Sequence, residues 1–223
     1  MIFKNYISKY IVFYRLYLRY FELKNKFKIK KKTYSQFEED IFIDNFFKTF
    51  IGTYVDIGCY HPFKYNNTAL LFNKGWKGIN IDLNPSSIDL FNIARKNDKN
   101  IVACLSDKNE EVTVFYDNRF SALNSIYSDN VKKFNISDYK KIKTKTKIFS
   151  DLVKDNFDFL NIDCEGHDFK ILKSINFNKY TPKLISIEAG LGNDTKGIKN
   201  YLVSFNYKFL IKKGETHLYA KFN

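Results

Sequence analysis

The chain has 223 residues, of which 44% are hydrophobic, 18% aromatic and 27% charged, and its mean hydropathy is −0.38. That composition supports one domain with a buried core plus an appendage, and excludes wholesale disorder, a polytopic membrane protein and collagenous or low-complexity classes. The formal charge is +13, but residues 1–32 hold ten Lys/Arg against Glu22 and carry +9 of it, so residues 33–223 are only mildly basic. Four of the 37 basic residues are Arg (Arg15, Arg19, Arg95 and Arg119), a Lys-rich usage that an AT-rich genome produces without functional demand. Cys59, Cys104 and Cys164 lie too far apart in sequence for a zinc clip or a disulfide framework. They point to a reducing, cytoplasmic compartment and sit at apolar strand ends as small packing residues.

Phe3, Ile7, Tyr10, Tyr14, Tyr17 and Phe21 recur at intervals of three and four, which predicts a helix with one aromatic stripe and with Lys4, Arg15 and Arg19 on the other side. The two arginines interrupt the run, so no uncharged stretch reaches the roughly 20 residues of a membrane span. The basic run 24–32 offers no small-residue cleavage site, which argues against a secretory signal. A segment of this kind packs on its own domain, self-associates with a twin subunit, or makes peripheral contact with an anionic membrane. The chain therefore divides into a basic aromatic extension, 1–32, and a main domain, 33–223.

Beyond residue 32, strand-like and helix-like segments alternate, the pattern of a parallel α/β sheet. Ser35 with Glu38 three residues on predicts a capping box opening a helix whose apolar side is Ile41, Phe42, Phe46 and Phe47. Tyr54-Val55-Asp56-Ile57-Gly58 reads as a strand running into a turn, 67–73 as a helix closed by Gly75, and 78–83 as a second strand. A helix over 85–96 leads to a third strand at 101–105. Residues 111–149 alternate as β-structure with polar loops and predict an insertion over the active face. The α/β rhythm then resumes with strand 157–163, helix 167–175, strand 184–188, helix 197–205 and a closing hairpin of 207–211 with 217–222. His217 opens the last strand as a structural residue, and Trp76, between Gly75 and Gly78, belongs to the core.

Asp56 and Asp82 fall at the ends of the first two strands, with Asp82 roughly two dozen residues after Gly58, the interval of a nucleotide-binding βαβ unit. Ligands of open parallel sheets lie beyond the carboxyl ends of the strands, where Asp82 is placed to accept both ribose hydroxyls. The loop Gly58-Cys59-Tyr60-His61-Pro62 lacks the further glycines that let a backbone approach a pyrophosphate, so a dinucleotide is disfavoured. S-adenosylmethionine, which has a ribose but no phosphate, tolerates such a loop, and its sulfonium suits nearby carboxylates. Asp56 then fixes the loop or the cofactor's amino-acid end, Gly58 permits close backbone approach, and His61 follows the loop toward the pocket. Read structurally instead, Asp56 caps a turn that Gly58 closes.

Several blocks in order resemble the motifs of FkbM-type S-adenosylmethionine-dependent methyltransferases. They are Tyr34-Ser35-Gln36-Phe37-Glu38-Glu39-Asp40, Val55-Asp56-Ile57-Gly58-Cys59-Tyr60-His61-Pro62 with Asn67-Thr68, and Gly75-Trp76-Lys77-Gly78-Ile79-Asn80-Ile81-Asp82 with Asn84-Pro85. Leu105-Ser106-Asp107, then Asp158-Phe159-Leu160-Asn161-Ile162-Asp163-Cys164-Glu165-Gly166-His167-Asp168, and finally 182–188 continue the match. The resemblance covers about residues 33–223. It implies an α/β fold with a Rossmann-like class I methyltransferase sheet, seven strands with the last antiparallel, and O-methyl transfer, often to a sugar or another natural-product hydroxyl. It also implies that Asp56, Gly58 and Asp82 contact the cofactor, that Ser106 and Asp107 lie near the adenine, and that Ser35, Gln36 and Asn67 form further wall. Glu38 stands where many members have Gly and Cys59 where Ala is usual; neither exchange removes a reactive group.

Alternation on an extended chain turns Asp163, Glu165 and His167 to one side before Gly166 bends the chain. In-line methyl displacement needs an aligned oxygen nucleophile and removal of its proton. These demands assign Asp163 as an orienting carboxylate near the sulfonium and Glu165 or His167 as the base. As structural residues, Asp163 would cap the next helix, Glu165 would pair with a cation and His167 would sit in the first turn. Asp163, Glu165 and Glu188 would also suit a divalent cation such as Mg²⁺, a reading ranked below the metal-free one. The acceptor, a small-molecule or glycan hydroxyl, is selected by insertion residues such as Tyr116, Arg119, Tyr127 and Tyr139. A nucleic-acid methyltransferase is the second enzyme reading, favoured by aromatic and basic interleaving in the first 32 positions and opposed by the acids that follow the fourth strand. A non-catalytic scaffold that retains the fold is the third, opposed by the intact Asp56, Gly58, Asp82 and Glu165.

Overall fold

The computed structural model describes residues 10–26, 31–128, 139–190 and 193–222. Phe3 and Ile7 of the aromatic stripe, Lys4 on its other side, and 129–138 of the insertion lie outside the described residues. Helix α1 (Ile11–Lys26) precedes the main domain, which opens with α2 (Glu39–Phe47). Strand β1 (Thr53–Ile57), α3 (Ala69–Asn73), β2 (Lys77–Asp82), α4 (Pro85–Ala94) and β3 (Lys99–Val102) form the first half. The insertion holds β4 (Cys104–Leu105), β5 (Glu111–Tyr116) and β6 (Lys140–Lys147). The chain ends with α5 (Phe149–Leu152), β7 (Phe159–Ile162), α6 (Asp168–Ser174), β8 (Leu184–Glu188), α7 (Thr195–Ser204), β9 (Tyr207–Lys213) and β10 (Thr216–Lys221).

Seven strands form one sheet in the order β3-β2-β1-β7-β8-β10-β9. Every pairing from β3 to β8 is parallel, and β10 runs antiparallel to both β8 and β9. This is the Rossmann-like methyltransferase order, with the chain reversing direction between β3 and β7. In such a sheet the carboxyl ends of β1 and β7 flank the switch point where ligands bind.

The alternation of side chains along the strands sorts the two faces. Val55, Ile57, Leu160, Ile162, Ile185 and Ile187 point to one face and pack with Phe149 of α5, Ile171 and Leu172 of α6, and Ile198 and Leu202 of α7. Tyr54, Phe159, Leu184 and Leu218 point to the other face, against Ile43 and Phe47 of α2, Leu71 of α3 and Trp76. Trp76 is a core residue, its indole N–H donating to the Phe50 carbonyl at 3.1 Å.

Three local expectations differ from the structure. The Ser35–Glu38 capping box does not form: Glu38 sits in the left-handed region at φ +62° with no side-chain cap, and the Ser35 hydroxyl donates to Asp40 Oδ1 at 2.7 Å. Asp40 also accepts from the Tyr34 amide and the Thr33 hydroxyl, each at 2.6 Å, so a buried carboxylate inside the helix holds the entry. The helix buries Ile43 and Phe47 and leaves Phe46 exposed. The expected third strand over 101–105 is divided, because Ala103 turns the chain out of the main sheet and β4 pairs with β6 instead. The insertion is the three-stranded sheet β4-β6-β5, with β5 and β6 antiparallel.

Candidate active site

The tips of β1, β2 and β7 open into a cleft of about 610 Å³ lined by Gly58, Asp82, Cys104, Asp163, Glu165 and His167 among others. Its roof is the insertion loop from Ser121 to Ile126. Gly58 adopts φ +75°, its amide donates to the Ile81 carbonyl at 2.9 Å, and a Cβ placed there would lie 1.8 Å from the Asp163 carbonyl oxygen. Only glycine lets β1 and β7 converge at this point. Asp82 ends β2 with both carboxylate oxygens held, one by the Tyr60 amide at 2.8 Å and the other by the Asn84 amide at 2.7 Å. A single acid thus ties the glycine loop to the start of α4, and each oxygen keeps lone pairs for a ligand. Burial raises its pKa to about 6.

Asp56 is not in the cleft wall. It is fully buried beneath the cleft, where Oδ1 accepts from Asn161 at 2.8 Å and Oδ2 accepts from Thr68 at 2.8 Å and Asn66 at 3.1 Å. Register places Asn80, Asp56, Asn161 and Ser186 side by side on β2, β1, β7 and β8, a polar row crossing an otherwise apolar sheet face. Asn67 joins the row by donating to Asn161 at 3.0 Å. Arg95, with no exposed surface, ties the loop above it by donating to the Thr68 hydroxyl at 2.8 Å, Asn66 Oδ1 at 2.7 Å and the Pro62 carbonyl. Sequence reasoning missed Arg95, Asn66, Thr68 and Asn161. The one available signal was an Asn at an inward position of β7, a residue that strands disfavour unless it is paired.

Turn geometry, not strand alternation, brings the acids of 163–168 together. The strand stops at Ile162, and Glu165 and Gly166 follow with φ of +53° and +92°. Asp168 holds this turn, accepting from the Cys164 amide at 2.8 Å, the Gly166 amide at 3.0 Å and Asn193 at 2.8 Å. Asp163 and Glu165 line the first cleft and also a second one of about 840 Å³, shared with Gln36, Glu39, Asn67, Glu188 and Glu215. Glu188 is buried there, Oε2 has no hydrogen-bond partner, and burial together with the charges of Asp163, Asp168 and Glu165 raises its pKa to about 10. The enclosing walls desolvate Asp163 and the neighbouring carboxylates repel its charge, so its pKa is also raised; its side chain remains open to solvent in the cleft, which tempers the first effect.

His167 faces only the first cleft. Its Nδ1 lies 2.8 Å from the Tyr127 hydroxyl and its Nε2 3.0 Å from the Ser106 hydroxyl, and burial lowers its pKa to about 4. The imidazole is therefore neutral at pH 7, with both nitrogens engaged. Ser106 lies beneath His167 and bonds Asp107, which is exposed. Ser35, bound to Asp40, and both Ser106 and Asp107 are not among the residues lining the two clefts, whereas Gln36 and Asn67 line the acidic one. His61 lines a separate groove beneath α1, with Phe21 packed on it edge to face. Burial raises the pKa of Cys59, Cys104 and Cys164, which suits packing residues, and His217 pairs with Ile187 in the sheet. Among the described residues no group of His, Cys, Asp and Glu is arranged to hold a metal ion.

The sheet order, the glycine turn and the acid at the second strand tip define a Rossmann-like methyltransferase fold. The chain belongs to the methyltransferase FkbM domain family, whose pattern matches residues 56–209. Among solved structures it is similar to a methyltransferase FkbM from Methylobacillus flagellatus KT, with a TM-score of 0.52 and 15% identity over 76% of this chain and 43% of that one. The chain thus spans less than half the length of that protein. A Pyrococcus horikoshii protein named as a candidate RNA methyltransferase also matches, with a TM-score of 0.41 and 10% identity over 92% of this chain and 99% of that one. No curated protein matches the chain.

Proposed function

We propose that the chain transfers a methyl group from S-adenosylmethionine to a hydroxyl oxygen of a saccharide or other small natural product. The observation that carries this reading is the meeting, in one region, of an acid at the tip of the second strand (Asp82), a loop without a phosphate cradle and a carboxylate-lined floor. The donor set fits the cofactor. Asp82 suits its ribose, the apolar walls Ile57, Ile81, Ala103 and Leu105 suit its adenine, and the acids beyond suit a cation. The same acids disfavour a phosphate chain, which counts against a nucleic-acid acceptor.

When bound, the cofactor supplies an electrophilic methyl carbon on a sulfonium, and a thioether remains once an oxygen nucleophile has taken the methyl. Glu165 stands between the two clefts and is the base that receives the hydroxyl proton as the oxygen attacks. Asp163, beside it, orients the hydroxyl and offsets positive charge. His167, neutral and clamped by Tyr127 and Ser106, positions the roof against the floor instead of taking the proton. Gly58 and the buried Asp56 network keep the reacting ends of β1 and β7 in register.

The test has two parts. Calorimetry with S-adenosylmethionine and with S-adenosylhomocysteine should register binding of both. Mass spectrometry of glycans and small metabolites from cells with and without the gene should show a gain of one methyl group in the acceptor. Glu165→Gln should keep cofactor binding and lose turnover by about a hundredfold or more, the usual scale of general-base loss. Absence of binding at millimolar ligand, or full turnover by the Glu165 variant, contradicts the respective part.

A further inference from the structure

Helix α1 is apolar on two faces, and the sequence stripe describes only one. Tyr14, Tyr17, Leu18 and Phe21 face the main domain: the Tyr14 hydroxyl donates to Asp89 of α4 at 2.7 Å, and Tyr17 packs edge to face on Phe120 at 4.9 Å. At 3.6 residues per turn Val12, Leu16, Tyr20 and Leu23 fall on the opposite side. They are 64%, 55%, 59% and 58% exposed. Four large side chains in one outward row, with Phe13 beside them, form a contiguous apolar surface of the kind that soluble proteins rarely leave bare.

The charge around that row is one-sided. Arg15 and Arg19 flank it and are exposed, with no acidic partner among the described residues, and Lys24 reaches over the Tyr20 ring on the other flank. Glu22, the single acid of residues 1–32, is turned toward Lys96 of the main domain at 3.7 Å. We propose that this outer face of α1 docks on the surface of an anionic phospholipid bilayer, with Val12, Leu16, Tyr20 and Leu23 in the interface and Arg15, Arg19 and Lys24 at the headgroups. A helix with an apolar row edged by cations has the geometry of an interfacial helix, and its charge complements acidic lipid. At 16 residues it lies along the surface, and no described helix is long and apolar enough to cross a membrane.

Two other occupants fit less well. A second copy joined symmetrically through this face would set Arg15 and Arg19 against like charges. A nucleic acid would leave the aliphatic row without an apolar partner. The inference does not depend on the methyl acceptor, since α1 contributes nothing to either cleft at the sheet tips.

The experiment is co-sedimentation of the full chain with vesicles of phosphatidylcholine alone and of phosphatidylcholine mixed with phosphatidylglycerol, at low and high salt. The expected result is retention by the anionic vesicles only, weakened by salt. Leu16→Glu with Leu23→Glu should lower that partition roughly tenfold or more, and Arg15→Glu with Arg19→Glu should do the same by charge. Val203→Glu, which alters an exposed apolar side chain on α7, should leave it unchanged. Melting temperatures matching the parent show that the α1 variants remain folded, because the altered side chains point away from the domain. Equal retention on neutral vesicles, undiminished binding by the Leu16/Leu23 variant, or a dimer by light scattering that the same variant dissociates would each overturn the proposal.

Discussion

Asp82 is where the proposed cofactor site is most exposed to refutation. Its two oxygens already accept from the Tyr60 and Asn84 amides, and each would accept one ribose hydroxyl as well. Hydrogen bonds to a charged acceptor are worth about 1.5–3 kcal/mol each, so losing two ribose contacts costs about 3–6 kcal/mol of binding. At about 1.4 kcal/mol per decade, Asp82→Ala should raise the dissociation constant of S-adenosylhomocysteine roughly 10²- to 10⁴-fold. Asp82→Asn keeps one acceptor but turns an amide N–H₂ toward a backbone N–H, and should fall between the two. A second signature is pH. The carboxyl has a pKa raised to about 6 by burial, and it is protonated below that value. Wild-type affinity should therefore fall about tenfold per unit as pH drops below 6, and Asp82→Ala should lose this dependence. Calorimetry between pH 5 and 8 measures both. If Asp82→Ala binds within about threefold of the parent while folded, a margin of under 1 kcal/mol, the ribose assignment is wrong.

Other predictions concern the scaffold and the acid cluster. Gly58→Ala adds left-handed strain of about 1–2 kcal/mol and a Cβ overlapping the Asp163 carbonyl, so it should cost about 2–5 kcal/mol, or about 4–20 °C in melting temperature. Gly75→Ala, at φ +98° with nothing within 4 Å of the new Cβ, should show the strain alone; equal losses in the two variants would rule out the overlap. Arg95→Met leaves the Pro62 carbonyl, Asn66 and Thr68 without their donor and should cost about 3–5 kcal/mol, read as a melting loss of about 6–20 °C. A loss below about 1 kcal/mol would mean the loop is held by other groups. Glu188, with its pKa raised to about 10, is protonated at pH 7.5, and a cationic ligand favours its ionised form. S-adenosylmethionine binding should therefore release up to about one proton, seen as a heat that differs between phosphate and Tris buffers. Glu188→Gln should remove that difference, and a buffer-independent heat in the parent would refute the coupling.

How far these features were legible in the sequence depends on the range of the interactions that make them. The alternation of helix and strand, the turn at Gly58, the acid ending β2 and the closing hairpin are written in short windows, because periodicity, turn chemistry and a βαβ interval are local. The family motifs extended that reading to a seven-stranded sheet with an antiparallel last strand. The Ser35–Glu38 box failed because Asp40, buried within the helix, outcompeted Glu38 for Ser35. The acids of 163–168 were found for partly the wrong reason, since the positive φ of Glu165 and Gly166, not the strand pleat, gathers them.

The sequence alone determined the layers, the strand tips and most of the acidic residues around them. Only the tertiary structure decided that Asp56 lies under the cleft and not in it, that Arg95 pins the loop above, that Glu188 is buried beside Asp163 and Glu165 with an unpartnered Oε2, and that α1 keeps a second apolar face outward. Each of these depends on strands brought side by side in register or on the far side of a packed helix. Burial and pairing between distant residues set those positions, and no single window of sequence carries that information.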